Sequence, residues 1–135
     1  MTGETDLRTL LRTMSAVLAD GLYVFASVTA VTANAVPADI SVRMRLEEAE
    51  GVTLILLKDD AKAAGLAFEF PCRMITLNVH SSLAAVGFLA RITTALAKAG
   101  IGVNPVSGFH HDHLFVPDGR ERDAMAVLAQ VSAGK

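Results

Sequence analysis

Four consecutive residues, His110-His111-Asp112-His113, gather three imidazoles and a carboxylate into one short stretch. Imidazole nitrogens bind divalent metals, and a metal site needs three or four such ligands converging. Along an extended strand His111 and His113 share a face, and His80 is the one further imidazole in the chain that can join them. No HxxxH or CxxC spacing accompanies them, so an exposed turn carrying histidines is the competing reading. Ser81-Ser82 stands ahead of an apolar, helix-periodic stretch. Two hydroxyls and the unpaired amides of a helix start can receive a carboxylate, or can simply cap the helix. Asp112 is the only acidic residue between Glu69 and Asp118; it can receive an ammonium, or bond its own backbone in a turn. Asn104 donates and accepts at once, and Gly87 admits a ligand or a neighbouring backbone at close range. Cys72, the sole cysteine, follows Pro71 between two apolar stretches and reads as a buried, inert thiol. No phosphate loop, nucleophile elbow or dinucleotide fingerprint is present. No catalytic residue, resident metal or cofactor is expected.

The elements that must position these groups follow from periodicity. Leu7, Leu10, Leu11, Met14, Val17 and Leu18 recur at steps of three and four, which predicts a helix over residues 6–18 capped by Thr5. Residues 22–30 are β-branched and aromatic and read as a strand, with a loop through Pro37 to residue 39. Ile40, Val42, Met44 and Leu46 alternate with polar residues, a strand with one wet face. A turn at residues 48–51, an apolar strand at 52–57, a short helix at 59–65 and a strand at 67–70 follow, and Pro71 is expected to break the chain before a strand at 73–80. Ser81 and Ser82 should cap a helix over residues 83–99 that buries Val86, Ala90 and Leu96 and ends at Gly100. Residues 102–107 read as a strand that Pro105 confines to an edge or a bulge. A turn at 108–111 leads to a strand at 112–116, and Asp118 and Glu121 have capping-box spacing ahead of a last helix burying Met125, Leu128 and Val131.

From residue 73 onward the order is strand–helix–strand–strand–helix, the ferredoxin-like order short of its final strand. The first half reads helix–strand–strand–strand–helix–strand. Two incomplete copies of one pattern predict an α+β tandem of two βαββαβ-type halves, residues 1–70 and 71–135, with antiparallel sheets and helices on one face. Bulk properties fit this. Of 135 residues 52% are apolar, enough for a core, and the formal net charge of -2 gives no electrostatic reason to expect nucleic acid or a membrane surface. The acidic start Met1-Thr2-Gly3-Glu4-Thr5-Asp6 lacks the basic region of a secretory signal, and one cysteine needs no oxidising compartment, so a cytoplasmic location is expected.

Four stretches carry a resemblance: GETDLRTLLRTMSAVL, GLYVFASV, ITLNVHSSLAAVG and AKAGIGVNPVSGFHHDHLFVP. Together they resemble a family of small stand-alone bacterial proteins, first catalogued as a domain of unknown function, among the ACT domains and similar to the regulatory domains of aspartate kinase. The resemblance implies a ferredoxin-like, amino-acid-binding regulatory module; this chain departs from it in carrying no enzyme segment, so a separate regulated enzyme, or a role as sensor or carrier, is expected, with a homodimer as the expected assembly. It implies a ligand site at the loop into the second-half helix (His80, Ser81, Ser82, Val86, Gly87) and the facing edge hairpin (Ile101, Asn104, His111, Asp112). A free amino acid suits such a place: its carboxylate meets helix-start amides, and its ammonium meets Asp112. Two alternatives stay open. One is a protein–protein assembly module whose exposed edge at residues 102–107 pairs with a partner. The other is a metal-binding protein built on the His110–His113 cluster.

Overall fold

The computed structural model describes residues 2–135; Met1 lies outside them. In chain order the elements are α1 (Leu7–Thr13), β1 (Ser15–Leu18), β2 (Tyr23–Val28), α2 (Ala30–Asn34), β3 (Val42–Glu48), β4 (Gly51–Leu57), α3 (Lys58–Ala63), β5 (Glu69–Asn78), α4 (Phe88–Lys98), β6 (Asn104–Ser107), β7 (Asp112–Pro117) and α5 (Glu121–Ser132). They fall into two compact units. One is Gly21–Cys72; the other joins the residues up to Asp20 to Arg73–Lys135. The halves expected from chain order, 1–70 and 71–135, therefore differ from the compact units: residues 2–20 pack with residues 73–135 rather than with those that follow them.

The Gly21–Cys72 unit runs β2-α2-β3-β4-α3 and ends in the first residues of β5, with strand order β3-β4-β2-β5. Antiparallel register sets Val24 opposite Leu56, Ala26 opposite Leu54 and Val28 opposite Val52. The period of two puts these on one face, where Ala33 of α2 and Ala61 of α3 close the core. Helix α2 replaces what the sequence reads as strand end and loop. Thr29 caps it by accepting from Thr32 N, and three alanines follow within six residues. Pro71 does not break β5. The register between β2 and β5 shifts between Tyr23 and Phe25, and Phe70 sits at φ 58. An irregularity of this kind releases the ladder position that a proline cannot fill.

The other unit runs β5-α4-β6-β7-α5, and β1 completes it from the far side of the chain. Strand order is β1-β5-β7-β6. Ser15 pairs with Asn78 and Leu18 with Ile75, antiparallel. Each unit thus holds a full βαββαβ set with the same strand order, the ferredoxin-like arrangement expected from the two incomplete patterns. Strand β5 serves both, as the fourth strand of one and the first of the other. Strand β1 also marks where the expected helix over 6–18 stops. Asp6, not Thr5, caps α1 by accepting from Thr9 N, and Met14 turns extended at φ -66, ψ 145. Beyond it Ala16 and Leu18 pack on the core while Val17 stays half-exposed, so alternation replaces helical spacing. Residues 17–18 fit either period; pairing with β5 decides between them.

The core of this unit sets Ile75 and Leu77 of β5 and Leu114 and Val116 of β7 against Leu10, Phe88, Ile92, Leu96, Leu128 and Val131 from the three helices. Strand β6 is the edge, as Pro105 demands. Arg73 ties the elements together: it donates to Glu121 Oε2 at 3.2 Å and to Ala19 O at 3.2 Å. The expected capping box at Asp118 does not form. Arg120 stands at the N-cap without a side-chain bond, and Glu121 Oε1 accepts from Gly119 N instead. Backbone amides at Glu121 and Gly119, then Arg73, hold the Glu121 carboxyl below its ordinary 4.5. A carboxyl depressed by folding adds stability above its unfolded pKa and loses it on acidification. The Glu121→Gln variant should accordingly show a shallower loss of stability than wild type as pH falls below about 4.5 in denaturation series. Leu96 is 0% exposed; Leu96→Ala should cost about 2–5 kcal/mol in urea unfolding.

Candidate functional site

The expected helix over residues 83–99 begins later, at Phe88, and this relocates the site chemistry. Gly87 is its N-cap, at φ 91, and offers no side chain to the first turn. Arg91 N is the first amide to reach back, to Gly87 O at 2.9 Å. The amides of Phe88, Leu89 and Ala90 precede it and have no intrahelical acceptor. No acidic side chain occupies this turn. Ser81 and Ser82 therefore do not cap α4. They sit in the loop before it, 9% and 5% exposed, and Ser82 Oγ accepts from Ala84 N. A proline-free run of small residues, Ser81-Ser82 and Ala84-Ala85, lets this loop turn tightly instead of continuing the helix.

A small cleft of about 170 Å³ opens between this loop, the start of α4 and the β6–β7 hairpin. Ser81, Ser82 and Gly87 line one wall together with Phe88, Leu89 and Ala90. Ser107, Gly108 and Asp112 line the other. The volume lies below the ~300–1,000 Å³ of pockets for drug-sized ligands, which limits the occupant to a small molecule. Asp112 is 7% exposed. Its Oδ1 accepts from Ser107 Oγ at 2.6 Å and its Oδ2 from Ser81 Oγ at 3.3 Å. Among the described residues no cationic side chain pairs with it. A buried carboxylate facing only hydroxyls is an acceptor with capacity left for a cation. The cleft thus opposes a negative wall to free amides at the positive end of a helix.

Four of the nine expected site residues, Ser81, Ser82, Gly87 and Asp112, line this cleft. Five do not. The His80 ring packs against His110 at 5.2 Å and Phe109 at 6.4 Å, with its Nε2 buried and unbonded. Val86 is 84% exposed because the loop, not a helix, carries it, and Ala90 is exposed at the helix start. Ile101 belongs to the core. Asn104 opens the edge strand opposite Phe115 and is exposed. His111 Nδ1 donates to Val79 O at 3.3 Å, which draws it to the loop backbone. Ser107 escaped sequence reasoning, although a four-residue turn at 108–111 places it opposite Asp112 in the hairpin. The histidines do not converge: His113 Nδ1 lies 2.9 Å from Thr76 Oγ1, and among the described residues no group of three or more His, Cys, Asp or Glu is placed to hold a metal ion. The Cys72 thiol donates to Tyr23 O at 3.4 Å, and burial pushes its pKa up to about 12, far from the thiolate a nucleophile needs.

Comparisons with known proteins bear on the family and the fold. Residues 2–73 match the family model of an ACT domain, and residues 69–130 match a second ACT-domain model. A Vibrio cholerae protein of unknown function, described as a possible transport protein, is 36% identical; the alignment covers 93% of this chain and 95% of that one, with a TM-score of 0.82. The ligand-free regulatory subunit of aspartate kinase from Thermus thermophilus is 13% identical over 90% of this chain and 97% of its own, TM-score 0.72. Clostridium acetobutylicum aspartate kinase is 11% identical over 95% of this chain but only 36% of its own, TM-score 0.70. The last two show likeness of fold. No curated protein sequence matches the chain. No helix among the described residues is long and apolar enough to cross a membrane.

Asp112 is buried in the cleft wall with two hydroxyl partners. If its carboxylate serves a ligand rather than the fold, Asp112→Asn should change unfolding free energy by less than about 1 kcal/mol, because Ser81 and Ser107 can rotate to bond an amide. Urea denaturation without added ligand measures this, and a larger loss would make the carboxylate structural.

Proposed function

The chain belongs to the ACT-domain family, and on that premise we propose that it is a non-catalytic module that binds a free amino acid in the cleft between α4 and the β6–β7 hairpin and reports the binding to a separate enzyme. ACT domains are typically small-molecule-binding regulatory modules, and a regulatory subunit of aspartate kinase shares the fold. The observation that carries the amino-acid reading is the opposition of Asp112, buried and without a cation, to the uncapped amides of Phe88, Leu89 and Ala90. An α-amino acid carries complementary charges on adjacent groups: the ammonium goes to Asp112 and the carboxylate to the helix start. Ser81 and Ser107 hold the Asp112 carboxylate in place for it. The reading also includes self-association and work in the cytoplasm; one buried cysteine is compatible with a reducing compartment.

A thermal-shift screen with the free amino acids tests it directly. A ligand present at about 100 times its dissociation constant adds about 2.7 kcal/mol, readily seen as a melting shift in a protein this small. Calorimetry with the amino acid that binds should then show Asp112→Ala weakening affinity by roughly 2–5 kcal/mol. Equal affinity in the variant removes Asp112 from the site. Failure of every amino acid to shift wild type shifts the weight to an assembly role at the β6 edge.

A further inference from the structure

Residues ahead of α1 contribute to neither core, yet they are bonded to the loop that walls the cleft. Glu4 N donates to His80 O at 2.9 Å, and Ser82 N donates to Glu4 O at 2.8 Å, a parallel bridge pairing Glu4 with Ser81 outside any strand. Gly3 permits the approach. It sits at φ +97, and a Cβ there would stand 2.6 Å from Ser82 N and 2.8 Å from Ser81 C. Those are backbone atoms and cannot turn aside, so an L side chain at this position forces the segment off the loop. The two bonds bracket Ser81, whose hydroxyl donates to Asp112, and one of them holds the Ser82 amide; both serines line the cleft. On its other side the segment is fixed to α1. The Glu4 carboxylate accepts from Thr5 N, Asp6 accepts from Thr9 N, and the Leu7 side chain reaches to within 3.5 Å of where a Cβ on Gly87 would lie.

We propose that Gly3 and Glu4 are positioning residues of the cleft, a strap whose docking sets Ser81 and Ser82 for the ligand and whose docking the ligand in turn reinforces. The inference rests on reading the cleft as a ligand site. Two backbone bonds hold the strap, so it opens more readily than the core beneath it. Coupling between an occupant and the strap is reciprocal: whatever docking adds to affinity, occupancy adds to docking. The N-terminal segment is then the movable part through which the cleft signals that it is filled.

Amide hydrogen exchange on the full chain tests the strap without any ligand. Gly3→Ala, which meets the Ser82 backbone, and Glu4→Pro, which removes the donor to His80 O, should each raise exchange at Ser82 N–H by about tenfold, as expected for one or two lost hydrogen bonds, while the Leu77 amide keeps its protection. Unchanged exchange at Ser82 in both variants overturns the strap. Calorimetry with whichever of the twenty free amino acids most raises the wild-type melting point should then show both variants binding about five- to tenfold more weakly. Lost protection with undiminished affinity overturns the coupling. If none of the twenty binds wild type, the function proposed above fails and the coupling with it, while the exchange measurement still decides whether the strap exists.

Discussion

Four residue pairs join the two parts of the unit that carries the cleft: Ser15, Ala16, Val17 and Leu18 on one strand face Asn78, Leu77, Thr76 and Ile75 on the other. Without that pairing, the sheet of the unit that carries the cleft would lose its fourth strand, and α5 would lose the strand it packs beside. Leu10 and Met14 enter the same core from the helix just before the strand. The chain thus opens and closes the same unit, with residues 21–72 forming a complete βαββαβ set between the two parts. Arg73 secures the junction by bonding Ala19 O at the end of one part and Glu121 in the other.

The cleft draws its character from what the fold leaves unsatisfied. A helix start capped by glycine exposes amides that a serine or aspartate cap would have bonded. A buried aspartate bonds two serine hydroxyls and, among the described residues, has no cationic partner. Each is a mild cost to the folded state taken alone, and the two face one another across a space sized for a small molecule. Such unmet capacity at facing positions is how a site can select for separated charges with few residues, and it needs no nucleophile, metal or proton shuttle.

Periodicity made most of the fold legible, because strands such as residues 52–57 and helices such as α5 carry patterns with one interpretation. It failed where two periods coincide. Leu7, Leu10, Leu11, Met14, Val17 and Leu18 satisfy a helix throughout, and only a partner sixty residues away converts the last four residues to a strand. Residues 29–34 fall at the end of the strand read over 22–30 and in the small-residue stretch after it, although a threonine cap and alanines make a helical turn there. In the cleft, side-chain chemistry was readable and backbone placement was not. Asp112, Ser81, Ser82 and Gly87, expected at a site from the resemblance and from their chemistry, line the cleft, but the helix start moved from residue 83 to Phe88, which carried Val86 out to solvent and brought the Phe88–Ala90 amides in. Asn104 fell outside at the exposed start of the edge strand, and Ile101, which precedes that strand, went into the core instead.

The nesting of residues 21–72 within the other unit also imposes an order on biosynthesis. Strand β1 is made before residues 21–72, but its partner is not complete until residue 78, and the core it joins awaits Val131. At about 5–20 residues per second, that interval is on the order of 6–20 s. The inserted unit has all its strands by residue 72 and can collapse within it. Through that interval Leu10, Met14 and Leu18 have no interior to enter and stay exposed on the nascent chain.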